Sequence, residues 1–312
     1  MKIGLDIMGG DFAPQSTVQG AIMAAKQMGE NQKIVLIGDE AAAREIIEQA
    51  GEDPAFFEYH HAPDVIGMGE HPAKVFAKKP NSSISRGFQL LKEGAIDTFA
   101  SAGNTGAMLV GTMFSVKTIP GVLRPAIATN VPKIQNGSGL LLDVGANADC
   151  KPEMLAQFGL LGSLYLEHVI GVEKPTVGLL NIGEEEEKGN MLTQATYPLL
   201  AANPRLNFIG NIEGRDVFDD KVDVIVADGF TGNVVLKLAE SFYVMTLRKG
   251  FRDEFFDRFN YEQYGGSPIL GVNAPVIIGH GISSPEAIKN MLLLSKTMKE
   301  TAIVEKIKSV FN

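Results

Sequence analysis

Cysteine is nearly missing from these 312 residues. Cys150 stands alone, which rules out an internal disulfide framework and any cysteine-rich zinc site. No stretch reaches the ~18 uninterrupted apolar residues of a membrane-spanning helix. Internal repeats, low-complexity linkers and clean domain boundaries are lacking as well. So is an excess of positive charge: the formal net charge of -9 argues against nucleic acid as the main partner. That acidity still leaves room for phosphate-bearing ligands, which helix termini and a few basic side chains can hold locally. The first ten residues carry one early lysine and then strand-like residues, with no apolar signal core or cleavage site, so the expectation is a protein made and kept in the cytoplasm. Apolar residues are plentiful, at 45%, enough for a large core in one α/β catalytic unit spanning 1–312 or in two coupled lobes.

Short apolar runs alternate with helical patterns along the chain. Strands are expected at Lys2–Ile7, Lys33–Ile37, Ala55–His60, Ala95–Ala100, Gly139–Val144, Thr176–Asn181, Asn207–Ile209, Val222–Ala227 and Pro275–Ile278. Helices are expected at about Gln15–Met28, Glu40–Ala50, Ser82–Glu93 behind Asn81 as cap, Met108–Val116, Pro152–His168, Met191–Leu200, Gly232–Gly250 and from Pro285 to about Val310. This alternation predicts an α/β fold, a mostly parallel sheet flanked by helices on both faces. Ligands of such folds bind beyond the carboxyl ends of the strands, so the loops that follow strands are the informative ones.

The stretch SAGNTGA, Ser101–Ala107, joins an expected strand to an expected helix. Backbone N–H groups of the first helical turn would point at a ligand there. Ser101, Asn104 and Thr105 add short side chains, and Gly103 and Gly106 allow close approach, which suits phosphate or a developing oxyanion as well as a simple helix cap. Other strand ends carry similar residues. Gly9, Gly10 and Asp11 follow the first strand, and DVGANAD offers Asp143, Asn147 and Asp149. Asn181 and Asn190 flank an acidic run, Glu184–Glu187. DGFTGN supplies Thr231, Gly232 and Asn233 with Lys237 farther along, a second candidate anion cradle. His280, between two glycines, is the best-placed histidine; His60, His61, His71 and His168 have no motif around them. Cys150 has no histidine partner nearby in sequence.

Taken in order, MGGDFAP, SAGNTGA, RPA at Arg124–Ala126, LDVGANAD, GLLNIGEEEEKGN, FIGNIEGRD, DGFTGNVVLK and the run from Tyr264 to Gly281 resemble the PlsX family of phosphate acyltransferases over essentially the whole chain. Ile7 stands where that family usually has Ala, and Gly279 where Ser commonly precedes the His-Gly pair. The resemblance implies transfer of a long-chain acyl group from acyl carrier protein to inorganic phosphate, giving acyl phosphate for phospholipid synthesis. It also implies a homodimer and a fold similar to isocitrate and isopropylmalate dehydrogenases and to phosphotransacetylase. No cofactor or metal is expected. Phosphate is itself a competent nucleophile toward a thioester, so the protein need only hold it, stabilise the oxyanion and admit the acyl chain. Asn104, Asn147, Asn181 and His280 are the residues expected nearest the chemistry, with the remaining loop residues binding phosphate or substrate.

The segment 236–264 is expected to form a helical element with a break at Gly250. Val244, Leu247, Phe251, Phe255 and Phe259 recur there at helical spacing among Arg248, Lys249, Arg252 and Arg258. Core or dimer packing is one reading. The other is a tip lying on a membrane surface, near the membrane glycerol-3-phosphate acyltransferase that would take the product, so that the protein is peripherally membrane-associated. Asp253 and Asp257 share a DxxxD spacing that a metal-dependent dehydrogenase could use, although no cofactor fingerprint accompanies them. A non-catalytic sensor of phosphate or carrier is the remaining alternative.

Overall fold

The computed structural model describes residues 1–135, 137–260 and 264–311. In chain order its elements are β1 (Lys2–Asp6), α1 (Gln15–Ala25), β2 (Lys33–Gly38), α2 (Glu40–Gln49), β3 (Glu58–His61), α3 (Pro72–Lys78), α4 (Ser83–Glu93), β4 (Thr98–Ser101), α5 (Thr105–Gly111), β5 (Ala126–Pro132), β6 (Ser138–Leu142), α6 (Pro152–Tyr165), β7 (Thr176–Leu180), α7 (Met191–Ala201), β8 (Asn207–Ile212), β9 (Val224–Val226), α8 (Gly229–Arg248), α9 (Glu254–Asp257), β10 (Ser267–Leu270), β11 (Val276–Ile278), α10 (Pro285–Glu300) and α11 (Ile303–Phe311). None of these helices is long and apolar enough to cross a membrane.

Two compact units divide the chain. The first combines Met1–Lys117 with 264–268 and Val272–Val304. Its strands lie in the order β3-β2-β1-β4-β11, every neighbouring pair parallel. β1 and β2 are short apolar runs because they are buried inside the layer, whereas the edge strand β3 (EYHH) is polar and only half-buried. Ile3, Leu5, Leu36, Ile37 and Phe99 are fully or almost fully buried. Phe99 meets Phe88 of α4 edge-on, with ring centroids 5.0 Å apart. Helix α10 returns from the end of the chain to pack on α1. A Cβ at Gly20 would stand 2.5 Å from that of Ile288, so glycine sets how near the two helices come.

The second unit is built from Thr118–Asn260, Ile269–Gly271 and 305–311. Its strands run β10-β5-β6-β9-β7-β8. β5 pairs antiparallel with both β10 and β6, whereas β6, β9, β7 and β8 are parallel throughout. Leu140, Leu141, Phe158, Leu161, Val177, Val224 and Ile225 form its buried centre.

Several sequence expectations shift. Ser82 caps α4 in place of Asn81, its hydroxyl accepting from Ser85 N at 3.2 Å. The strand expected from Ala55 starts only at Glu58, after a single 3-10 turn at Pro54–Phe56. The last expected helix is two, separated at Ala302 with φ 51°. Strands β5 and β10 and helix α3 have no counterpart among the expected elements.

Candidate functional site

Parallel strands place their following loops side by side, and each unit gathers its own set. In the first unit β1, β4 and β11 are neighbours. The Asp11 amide donates to Gly281 O at 2.7 Å, which ties the GGD loop to the segment carrying His280. His280 itself is half-buried, and its carbonyl accepts from Ser283 N and Oγ at 3.0 and 2.6 Å. Gly9 is buried between β1 and the β4 loop, with Gly10 half-buried and Asp11 exposed.

The SAGNTGA loop is held from beneath. Ser101 is fully buried; its hydroxyl donates to Asp6 Oδ2 at 2.6 Å and accepts from Gly103 N at 2.9 Å. Asn104 is the N-cap of α5, and its Oδ1 accepts from Ala107 N at 2.9 Å. Its Nδ2 meets three carbonyls, Gly67 at 3.1, Met68 at 3.0 and Glu70 at 3.1 Å. The side-chain donors of Ser101 and Asn104 are therefore spent inside the protein. The Thr105 and Gly106 amides, at the first two helical positions, have no acceptor among the described residues. Thr105 is exposed, and Gly106 lies against Pro72 of α3.

In the second unit the loops after β6, β9 and β7 adjoin. Asp143 is fully buried and accepts from Ile127 N, Ala146 N, Asn147 N and Asn147 Nδ2 at 3.0, 3.1, 2.7 and 2.9 Å. Burial pushes its carboxyl above the usual range, and the Asn147, Ala146 and Ile127 donors pull it back. The second Asn147 contact is Pro125 O at 2.8 Å, so both its amide hydrogens are engaged. Together these bonds make DVGAN a self-contained loop around a carboxylate.

The start of α8 is already occupied by charge. Asp228 caps it, accepting from Thr231 N at 2.9 Å and Thr231 Oγ1 at 2.8 Å, while Gly232 N bonds to Asp228 O at 2.9 Å. The protein's own carboxylate thus takes the place that an anion would take in DGFTGN. Asn233 is exposed, and Lys237 pairs with Glu240 at 2.9 Å on the open face of α8.

Helix α7 differs, because its cap is the neutral Asn190, whose Oδ1 accepts from Thr193 N at 2.9 Å. Asn181 Oδ1 accepts from Ile182 N at 2.9 Å, and its Nδ2 gives one bond, to Lys188 O at 3.1 Å. These residues line a cleft of about 340 Å³ with Thr193 and Thr231 at its sides and Leu155, Leu180 and Ala227 beneath. Thr193 went unnoticed in the sequence, although its place three residues after a capping Asn was a signal for it. A second, open cleft of about 640 Å³ is lined by Asn147, Asp149, Cys150, Arg124 and Lys151. There the Cys150 thiol donates to Asn147 O at 3.5 Å. Burial, with the charges of Asp143, Asp228 and Asp149 adding to it, pushes its pKa up to about 11.

Asp253 and Asp257 do not form a metal pair. Asp253 caps α9 through Phe255 N and Phe256 N, and Asp257 lies 3.5 Å from Arg252. Among the described residues no group of three His, Cys, Asp or Glu side chains could hold a metal ion.

A family model described as "Fatty acid synthesis protein" matches residues 1–255. A curated protein named Phosphate acyltransferase from Dictyoglomus turgidum is 43% identical over 326 residues, covering 98% of this chain and 96% of its own. Another of that name, from Desulforamulus reducens, is 44% identical over 327 residues, covering 99% and 96%. Among solved structures, the EutD phosphotransacetylase of Staphylococcus aureus superposes with a TM-score of 0.65 at 16% identity, covering 96% of this chain and 94% of that one. A phosphotransacetylase from Streptococcus pyogenes gives 0.67 at 16% identity with the same coverage. Likeness at that identity speaks for the α/β fold alone.

Proposed function

Because the chain belongs to the PlsX family of phosphate acyltransferases and is an acyl-transferring enzyme, we infer that it moves a long-chain acyl group from acyl carrier protein to inorganic phosphate, by direct attack of bound phosphate on the thioester. A phosphate oxygen bonds to the acyl carbon, the carbon–sulfur bond breaks, and the departing carrier thiolate takes up a proton. The products are acyl phosphate and free carrier.

The observation that carries this reading is the start of α5. A neutral cap clamped by three carbonyls holds the Thr105 and Gly106 amides without acceptors among the described residues, at the end of a buried strand. Such donors are preorganised for an anion and need no rearrangement to receive one. The Asp228 cap argues against the corresponding place at α8. In the cleft of the second unit, Asn181 retains an amide hydrogen for an acyl oxygen or for the carrier's arm, whereas Asn147 has none to spare. Direct attack also agrees with Cys150. A thiol titrating at about 11 is overwhelmingly protonated near neutral pH and makes a poor acyl acceptor.

The reading extends to assembly and place. An exposed apolar row on α8, Phe230, Val234, Leu238, Phe242 and Met245, supports a homodimer. At the end of that helix Leu247 and Phe251 are exposed beside Lys249 and Arg252, which supports a cytoplasmic enzyme resting on the membrane surface near a glycerol-3-phosphate acyltransferase. Phe255 meets Phe256 and Phe259 edge-on, Phe256 stacks on Phe259 and touches the exposed Phe251, and Arg258 donates to Lys133 O and Ile134 O at 2.6 and 3.3 Å, so the membrane contact narrows to residues 247–252. Residues 261–263 of the expected helical segment lie outside the described residues. A fold shared with isocitrate and isopropylmalate dehydrogenases belongs to the same proposal.

Mass spectrometry of products from palmitoyl acyl carrier protein and phosphate tests the reaction. Palmitoyl phosphate and free carrier are expected. No phosphate-dependent consumption of the acyl carrier overturns it.

A further inference from the structure

Asp6 ends β1 with a carboxyl group that is 1% exposed, against Ser101 at 0%. An acid at the end of an apolar strand is costly to bury, so what surrounds it needs explaining. Every neighbour bonded to it donates. Ser101 Oγ reaches Oδ2 at 2.6 Å and Met8 N reaches Oδ1 at 2.9 Å. Each oxygen meets a donor and neither meets an acceptor, so these bonds work against the burial that pushes the carboxyl above its usual range.

The bond to Ser101 has a directional consequence. A hydroxyl has one proton, and here Asp6 takes it. The oxygen must then present a lone pair elsewhere, and the Gly103 amide meets it at 2.9 Å. Gly103 precedes the Asn104 cap, whose turn sets the direction of the Thr105 and Gly106 amides. Gly9 seals this line from above. A Cβ there would stand 2.5 Å from Asp6 Oδ2, 2.7 Å from Gly103 N and 2.8 Å from Ser101 Oγ, so the GGD loop lies directly on the relay.

We propose that Asp6 is a positioning residue for phosphate, fixing the β4–α5 loop through the Ser101 hydroxyl and the Gly103 amide. This rests on the reading that the SAGNTGA loop holds the attacking phosphate. Asparagine cannot replace Asp6, because its NH₂ would confront either the Ser101 hydroxyl or the Met8 amide. In the first case the hydroxyl proton loses its acceptor and nothing holds its lone pair toward Gly103; in the second, two donors face each other and the Met8 turn beneath the relay shifts.

Asp6→Asn, Ser101→Ala and the double variant test the relay through steady-state constants measured separately for phosphate and for palmitoyl acyl carrier protein. Each single variant should lose roughly a hundredfold in kcat/KM for phosphate, the scale of a small misplacement of reacting groups. KM for the acyl carrier should stay within about twofold. The double variant should be no worse than the poorer single one, since both changes break one line of bonds. A rise in KM for the acyl carrier as large as that for phosphate, additive losses, or wild-type constants per folded molecule would overturn the proposal. If Asp6→Asn does not fold, Ser101→Ala decides alone, with faster hydrogen exchange at the Gly103 amide expected and unchanged exchange counting against the relay. Absence of phosphate-dependent turnover in the wild type removes the reaction and leaves the relay to calorimetric titration of inorganic phosphate. Weaker binding by Ser101→Ala supports it; equal or absent binding overturns it.

Discussion

Lys133, just past β5, donates its ammonium to the carboxylate of Asp223, just before β9. Both are largely buried, with side chains 10% and 21% exposed. Thr176 at the start of β7 adds two donors to Asp223, N and Oγ1, each at 2.8 Å. Burial alone would raise the Asp223 carboxyl, but Lys133 and Thr176 outweigh it and leave the pKa below its ordinary 3.8. A depressed carboxyl contributes stability that is present above 3.8 and lost as pH falls through the folded-state value beneath it. Asp223→Asn, which strands the Lys133 charge, should cost about 3 kcal/mol at pH 7. In urea unfolding the gap from wild type should narrow below pH 3.8, and a gap constant with pH would refute this account.

Asn104→Ala should lower stability as well as turnover. The change removes the cap of α5, worth about 1 kcal/mol, and leaves the Gly67, Met68 and Glu70 carbonyls without their shared donor. Asn104→Asp keeps a capping oxygen but sets a carboxylate oxygen against the same three carbonyls, so its melting temperature should fall at least as far as that of the alanine variant. Thermal unfolding with activity counted per folded molecule checks both. An alanine variant with wild-type stability would mean that the clamp contributes nothing.

Cys150→Ala should keep at least about half of wild-type turnover, because a thiol with a pKa of about 11 contributes no usable nucleophile at pH 7. Alkylation of Cys150 by iodoacetamide should be slow at neutral pH and quicken steadily toward pH 11. Rapid neutral alkylation, or a burst of carrier release before steady state, would point to an acyl-enzyme instead.

Leu247→Glu and Phe251→Glu should weaken flotation with vesicles containing phosphatidylglycerol, as should added salt, while light scattering reports the same mass as for the wild type. Phe259→Glu should act differently. Phe259 packs on Phe218 at 5.0 Å between centroids, so its charge would destabilise the fold rather than release the membrane. Wild-type protein that fails to float ends the membrane proposal.

The parallel architecture was legible because strands such as Lys33–Gly38 and Thr176–Leu180 are apolar runs bounded by loop residues. Strand β5 was not, since AIATNVP carries two polar residues and ends on proline, and its antiparallel partners supply an order that local sequence does not encode. In the same way, the loop residues of the site could be picked out as small and polar, but not the direction of their bonds. Asn147 and Asn104 look alike in sequence as free amides. Only the fold shows that one closes on Asp143 and Pro125 and the other on three carbonyls around Glu70. Asp6 stands in the sequence among the polar residues at strand ends, but its bond to a serine 95 positions away is visible only in the fold.

The first unit borrows β11 and α10 from the far end of the chain. During synthesis, therefore, Met1–Lys117 leaves the ribosome with the outer edge of β4 unpaired and the Gly20 side of α1 uncovered. At typical elongation rates, on the order of ten seconds pass before Val272 and the residues after it emerge. An open parallel edge beside an uncovered apolar helix face is what chaperones bind and what aggregation begins from. The amino-terminal segment of this enzyme is accordingly the part whose folding waits on the ribosome, and a chain cut short before β11 would leave it permanently in that condition.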